Sequence, residues 1–111
     1  MNRPVVLVAP NAFKGSLSAR AATEAMAHGV LAAWPEADVR LVPLADGGDG
    51  FVDVLTADGR GVVLAERVIG PLGDPVEARW GLLPLRTAAP HRGQTAVIEM
   101  AQAAGLVLIP P

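Results

Sequence analysis

A β-branched and aliphatic run closed by proline at each end restricts this chain more than any other feature. Val5-Val6-Leu7-Val8-Ala9 lies between Pro4 and Pro10 and is soon followed by a change to helical periodicity. An unbroken apolar run of this length suits a strand buried on both faces, as in a parallel sheet. From Ser18 the period lengthens: Ala22, Met26, Val30 and Ala33 fall on one expected helical face, with Arg20, Glu24 and His28 mostly elsewhere. Ser18 is placed to cap this helix and Trp34-Pro35 to end it. Residues 38–44 read as a second strand, and Phe51 to Ala57 as a short helix stopped by Asp58-Gly59. Strand, loop, helix, strand, loop, helix is the order of a parallel α/β sheet with right-handed crossovers. In such a sheet, ligands collect outside the carboxyl ends of the strands. The loops holding Lys14 and Asp46 are both expected at that edge.

After Gly61 the pattern changes. Val62 to Ile69 and Val76 to Leu83 read as strands joined by the turn Gly70-Pro71-Leu72-Gly73-Asp74-Pro75. An exposed loop is expected over 85–94, then a strand from Thr95 to Met100, a turn of helix over Ala101 to Ala104, and a last apolar strand from Leu106 to Ile109. The expected fold is therefore α/β: a parallel, Rossmann-like three-layer sheet at the start, then the beginning of a second α/β domain rich in hairpin strands. The boundary is expected between 1–61 and 62–111, with the second part truncated, since a bare terminal strand leaves an open edge.

Composition narrows the function. Hydrophobic residues make up 51% and charged residues 18% of 111, which is globular rather than disordered. A net charge of −2 and aromatics at 4% argue against nucleic acid as a partner. The absence of cysteine excludes disulfides, thiolate zinc sites and cysteine nucleophiles, and suits a cytoplasmic setting. The opening apolar run is too short for a signal peptide, and no segment reaches the ~20 apolar residues of a membrane span.

Lys14 is the only lysine; the other basic residues are Arg3, Arg20, Arg40, Arg60, Arg67, Arg79, Arg86 and Arg92. A flexible ammonium suits a moving phosphate, whereas a guanidinium forks onto fixed oxygens. The plainer alternative is a surface lysine. Neither G-x-x-x-x-G-K-[ST] nor G-x-G-x-x-G occurs. What remains for phosphate is Lys14 with Gly15, Ser16 and Ser18 before a helix, although capping alone would also explain the serines. Asp46, Asp49 and Asp53 form an acidic counterpart interleaved with Gly47, Gly48 and Gly50. Asp49 and Asp53, four apart, would face the same way on a helix. Carboxylates beside phosphate hold Mg²⁺ or accept a hydroxyl proton; an Asx turn plus helix cap is the plainer reading. The spacing does not fit an EF-hand. Glu99 ends an apolar strand and is a further candidate acid. His28 and His91 read as solvated, Trp34 and Trp80 as core or interface residues.

Taken together, these motifs resemble the class II glycerate kinases, a bacterial type associated with sugar-acid and glyoxylate breakdown. Residues 5–10 followed by Phe13-Lys14-Gly15-Ser16-Leu17-Ser18-Ala19 are similar to that family's opening signature, and Pro43-Leu44-Ala45-Asp46-Gly47-Gly48-Asp49-Gly50 to its second. Gly70-Pro71-Leu72-Gly73 with Pro75-Val76, and Thr95 to Ala101 running to Ala104-Gly105-Leu106, follow in the same order. The resemblance implies transfer of the γ-phosphoryl group of ATP to a hydroxyl of D-glycerate, in a two-domain α/β fold with the site in the cleft, using ATP and Mg²⁺. It implies Lys14 as phosphate or carboxylate partner and Ser16 as hydrogen-bond donor beside Gly15. Asp46 is implied as metal-linked acid or base, with Asp49 as a second metal candidate and Gly47 and Gly48 as close-approach positions. Family members are several times longer, so this chain corresponds to their amino-terminal part and is expected to be inactive alone. Three positions depart from the family pattern: Asn11-Ala12 for Asp-Ser, Asp49 for Glu, and Phe51 for a small hydroxyl residue. Asn11 cannot ionise, so any acid role there is lost. The alternative is a non-catalytic α/β module that binds a small anion or a partner chain through an incomplete sheet, completed by a homo-oligomer or by a missing carboxy-terminal portion.

Overall fold

The protein is described here by a computed structural model covering residues 3–84 and 93–111. Most of the loop expected over 85–94, including His91, lies outside these residues. The chain packs as two compact units, residues 1–46 and 47–111.

In the first unit, strand β1 (Val5–Val8) pairs in parallel with β2 (Asp38–Leu41), and helix α1 (Ala19–Ala33) connects them. The helix starts where Ser18 stays extended and its Oγ accepts a hydrogen bond from the Ala21 amide at 3.1 Å. It ends at Trp34, whose amide still reaches the Val30 carbonyl. The buried stripe is Ala19, Ala22, Thr23 and Ala27, not the expected Ala22, Met26, Val30 and Ala33; Met26 is 44% exposed. Steps of four drift by about 40° each around a 3.6-residue turn, so that series winds off the face. Alanines let the helix lie close to the strands, and Thr23 satisfies its buried hydroxyl on the Ala19 carbonyl at 2.7 Å.

β1 is not buried on both faces as expected. Val8 is buried, but Val5 and Leu7 are 58% and 63% exposed. Their register partners are Asp38 and Arg40, which pair with each other at 3.2 Å. The face away from Val8 therefore combines two exposed aliphatic residues with an ion pair.

The second unit is an antiparallel sheet in the order β3 (Val62–Ile69), β4 (Pro75–Pro84), β5 (Gln94–Ile98), with helices α2 (Phe51–Thr56) and α3 (Ala101–Ala104) packed against it. Helix α2, expected to belong with the parallel strands, packs on this sheet because its buried residues Val52 and Thr56 meet β4 at Gly81. The terminal strand expected from Leu106 is instead a 3₁₀ turn over Leu106–Leu108, closed by local bonds from Leu108 to Gly105 and from Ile109 to Leu106. Among the described residues no helix is long and apolar enough to cross a membrane.

Gly81 supports a stability prediction of counterintuitive sign. A Cβ there would sit 2.7 Å from Thr56 Cγ2 and 3.3 Å from Val97 Cβ. Thr56 cannot yield freely, because its hydroxyl is held on the Val52 carbonyl at 2.7 Å. Strand propensity favours valine over glycine, yet Gly81→Val is expected to destabilise the protein by about 1–3 kcal/mol through overpacking. Urea unfolding measures this, and a stabilised variant would contradict the packing described.

Candidate functional site

The first unit builds its site from the loops that leave β1 and β2. Beyond the strands, the parallel pairing continues: the Val42 amide bonds to the Val8 carbonyl at 2.8 Å and the Leu44 amide to the Pro10 carbonyl at 3.0 Å. The two loops thus leave the carboxyl edge side by side, as the topology predicts. One leads into Lys14, the other into Asp46.

Lys14 stands in a turn built almost wholly from backbone. Phe13 and Leu17 bridge each other, with Phe13 N donating to Leu17 O at 2.9 Å and Leu17 N to Phe13 O at 3.1 Å. Ser16 N also donates to the Phe13 carbonyl, at 3.0 Å. Gly15 takes φ +74°, a left-handed conformation that a side chain would strain. Lys14 is exposed. The Ser16 hydroxyl donates to the Phe13 carbonyl at 3.3 Å, a long bond on an exposed residue. Ser18 is the capping serine, while the Ser16 hydroxyl bonds within the turn. Asn11 turns its side chain onto the adjacent Ala12 amide at 2.7 Å. Asp46 is exposed at the end of the second loop.

In the second unit, Gly47, with φ +97°, and the half-buried Gly48 precede the exposed Asp49. Gly50 has φ +88° and caps α2 with no side chain. The expected Asp49–Asp53 pair on one helical face does not form, because α2 begins only at Phe51. Asp53 instead binds the Arg79 guanidinium at 2.6 Å. Nor does the expected cap fall to Asp49: the Phe51 amide bonds to the Gly48 carbonyl at 3.1 Å, and a more distant residue takes the amides on either side of it.

That residue is Glu99, expected as a strand-end acid and more ordinarily exposed. It is 3% exposed. Its Oε1 accepts from the Gly50 amide at 3.1 Å and from Gln102 Nε2 at 3.3 Å, and its Oε2 accepts from the Val52 amide at 3.0 Å. Gln102 in turn accepts from the Arg79 amide at 3.3 Å, which ties this carboxylate to β4. One signal in the sequence pointed here: a carboxylate ending a run of apolar residues needs partners if the run is buried.

Among the described residues no group of three or more His, Cys, Asp and Glu gathers as a metal cage would require. Mg²⁺ ordinarily uses only one or two carboxylates and completes its shell with water and substrate phosphates. Asp46, at the end of the first unit, and Asp49, in the second, are each an exposed carboxylate of that kind. Trp80 Nε1 is buried without a hydrogen-bond partner, while Trp34 and His28 are exposed.

Comparison with known proteins adds a separate line. Residues 6–111 match the model of the glycerate kinase family. The chain is 45% identical over 105 residues to a glycerate kinase of Bacillus subtilis (strain 168), and 40% identical over 105 residues to a glycerate 2-kinase of Escherichia coli (strain K12). Each match covers 95% of this chain and 26% of the relative, so the chain spans about a quarter of the length of the curated relatives it matches. A crystal structure from Salmonella typhimurium LT2, provisionally named glycerate kinase 2, superposes with a TM-score of 0.69 at 38% identity, covering 97% of this chain and 27% of that one.

Proposed function

The chain belongs to the glycerate kinase family, and we propose from that membership that it supplies the amino-terminal part of an ATP-dependent kinase acting on D-glycerate. A glycerate hydroxyl oxygen forms a bond to the γ-phosphorus, the bond from that phosphorus to the β–γ bridging oxygen breaks, and ADP and phosphoglycerate result. The observation that supports this reading best is the parallel β1–α1–β2 unit, with the loops of Lys14 and Asp46 leaving one strand edge side by side. Phosphoryl transfer needs little from a protein beyond positioning and charge stabilisation, and these loops offer a mobile cation and an acid.

In this reading Lys14 clamps the phosphate, or the carboxylate of glycerate, from the tip of its turn. The turn is closed by backbone bonds among Phe13, Ser16 and Leu17, none of which uses the lysine side chain, so the lysine is presented without disturbing the fold. Ser16 exchanges its long bond to Phe13 for one to the ligand, beside Gly15. Asp46 accepts the hydroxyl proton or holds the metal-bound phosphates, and Gly47 and Gly48 let the ligand approach the backbone closely. Bound Mg²⁺ would supply neutralisation of phosphate charge; Asp46 of the first unit or Asp49 of the second would hold it. We also read β1–α1–β2 as the start of a Rossmann-like three-layer sheet, a reading supported by the exposed Val5 and Leu7 on the face away from Val8. A cytoplasmic setting, where ATP is available, goes with this chemistry.

The test is ADP release by the whole polypeptide that carries these 111 residues, supplied with ATP, Mg²⁺ and D-glycerate, with the product followed by phosphorus NMR. Glycerate-dependent ADP release with a phosphomonoester product is expected. If neither glycerate nor nucleotide binds and the protein runs as an oligomer, the non-catalytic module takes the place of the kinase.

A further inference from the structure

We propose that Glu99 is a positioning residue of the transfer reaction, which fixes the Gly47–Gly50 turn, and with it Asp49, by gripping the amides of Gly50 and Val52. The proposal rests on the kinase reading above. Burying a carboxylate is costly unless its oxygens are satisfied. Both oxygens of Glu99 are, and two of their three donors are the amides that open α2. A helix of six residues has little capacity to hold its own start, and its cap residue Gly50 has no side chain with which to do so. The usual solution is a neighbouring Asp or Ser. Here the cap is imported from the end of β5, 47 residues beyond Val52.

The import has a consequence for chemistry. Glycines with positive φ at Gly47 and Gly50 give the preceding turn many alternatives when it is not held. Glu99 selects one of them. Because it takes the Gly50 and Val52 amides, Asp49 is not needed as the cap and remains exposed on the fixed turn. A network continues behind it: Gln102 joins Glu99 to the backbone of Arg79, and the Arg79 side chain holds Asp53 further along the same helix. Arg79 and Glu99 therefore both anchor α2, Arg79 through Asp53 within the helix and Glu99 through the Gly50 amide of the turn.

That difference supplies the test. In the whole polypeptide, Glu99→Gln keeps the size of the side chain but sets an amide nitrogen against one of the two backbone N–H groups. Hydrogen exchange at Gly50 and Val52 is expected to accelerate, and kcat to fall by about 10²-fold through misplacement of the turn. KM for glycerate is expected to stay within a few-fold of wild type. Arg79→Ala is expected to lower thermal stability while leaving kcat close to wild type, and Glu99→Asp, too short to reach both amides, serves if the glutamine variant does not fold. Near-normal kcat in the Glu99 variants overturns the proposal. So does a parallel loss of kcat in Arg79→Ala, since activity would then merely follow the stability of α2. A wild-type protein that releases no ADP with glycerate overturns the kinase reading itself, and with it any role for Glu99 in that reaction.

Discussion

Lys14→Ala in the whole polypeptide is expected to lower kcat/KM for glycerate-dependent ADP release by on the order of 10²-fold or more, the loss found when a preorganised charge-stabilising donor is removed from a transition state. The structure makes the variant clean. The turn around Lys14 is closed by Phe13–Leu17 and Ser16–Phe13 backbone bonds and by the left-handed Gly15, none of which involves the lysine side chain. Unfolding midpoints should therefore match wild type, and the deficit should be one of chemistry. Lys14→Arg separates the two jobs open to the residue. A clamp that follows a moving phosphoryl group needs the compact ammonium and should recover little, whereas a fixed salt bridge to the carboxylate of glycerate should recover well and chiefly restore KM. Turnover close to wild type in Lys14→Ala would remove this residue from the site and return it to the surface lysine its composition also allows.

The second large effect belongs to Asp46. Asp46→Asn preserves shape but removes the charge, and kcat should fall by about 10²–10⁴-fold if the carboxylate accepts the hydroxyl proton. If its work is instead to hold Mg²⁺ with the phosphates, part of the loss should return as the metal concentration is raised, because a weakened ligand is offset by mass action. The two outcomes assign the role. The Leu44–Pro10 backbone bond that ties this loop to β1 does not use the Asp46 side chain, and an unfolding midpoint measured alongside kcat separates lost chemistry from lost loop structure. An Asp46→Asn enzyme with unchanged kcat and unchanged metal dependence would place the acid elsewhere.

The shared strand edge of the Lys14 and Asp46 loops is legible in the sequence, for a reason rooted in topology. Once Val5–Ala9 is a strand and Ala19–Ala33 a helix, the next strand returns parallel, and the loops that follow the two strands must share an edge. The positions of Asp49 and Asp53 were not. Their spacing suggested one helical face, but helix α2 starts after Asp49, and Asp53 is claimed by Arg79 from a strand 26 residues away. The helical face of α1 was only half legible: periodicity marked an apolar side, but close contact with the strands selected the alanines and Thr23 over Met26.

What the sequence determined by itself is what depends on near neighbours. The Ser18 cap, the helix end at Trp34, the parallel return of β2, the hairpin of β3 and β4, and the stop of α2 at Asp58-Gly59 all follow from φ preferences, period and short-range hydrogen bonding. Tertiary structure decided the rest. Helix α2 belongs with the antiparallel sheet because Val52 and Thr56 fit against the bare backbone of Gly81. Glu99 became the cap of that helix because a buried carboxylate must find donors, and the open first turn of α2 supplies the amides of Gly50 and Val52, far from it in the chain.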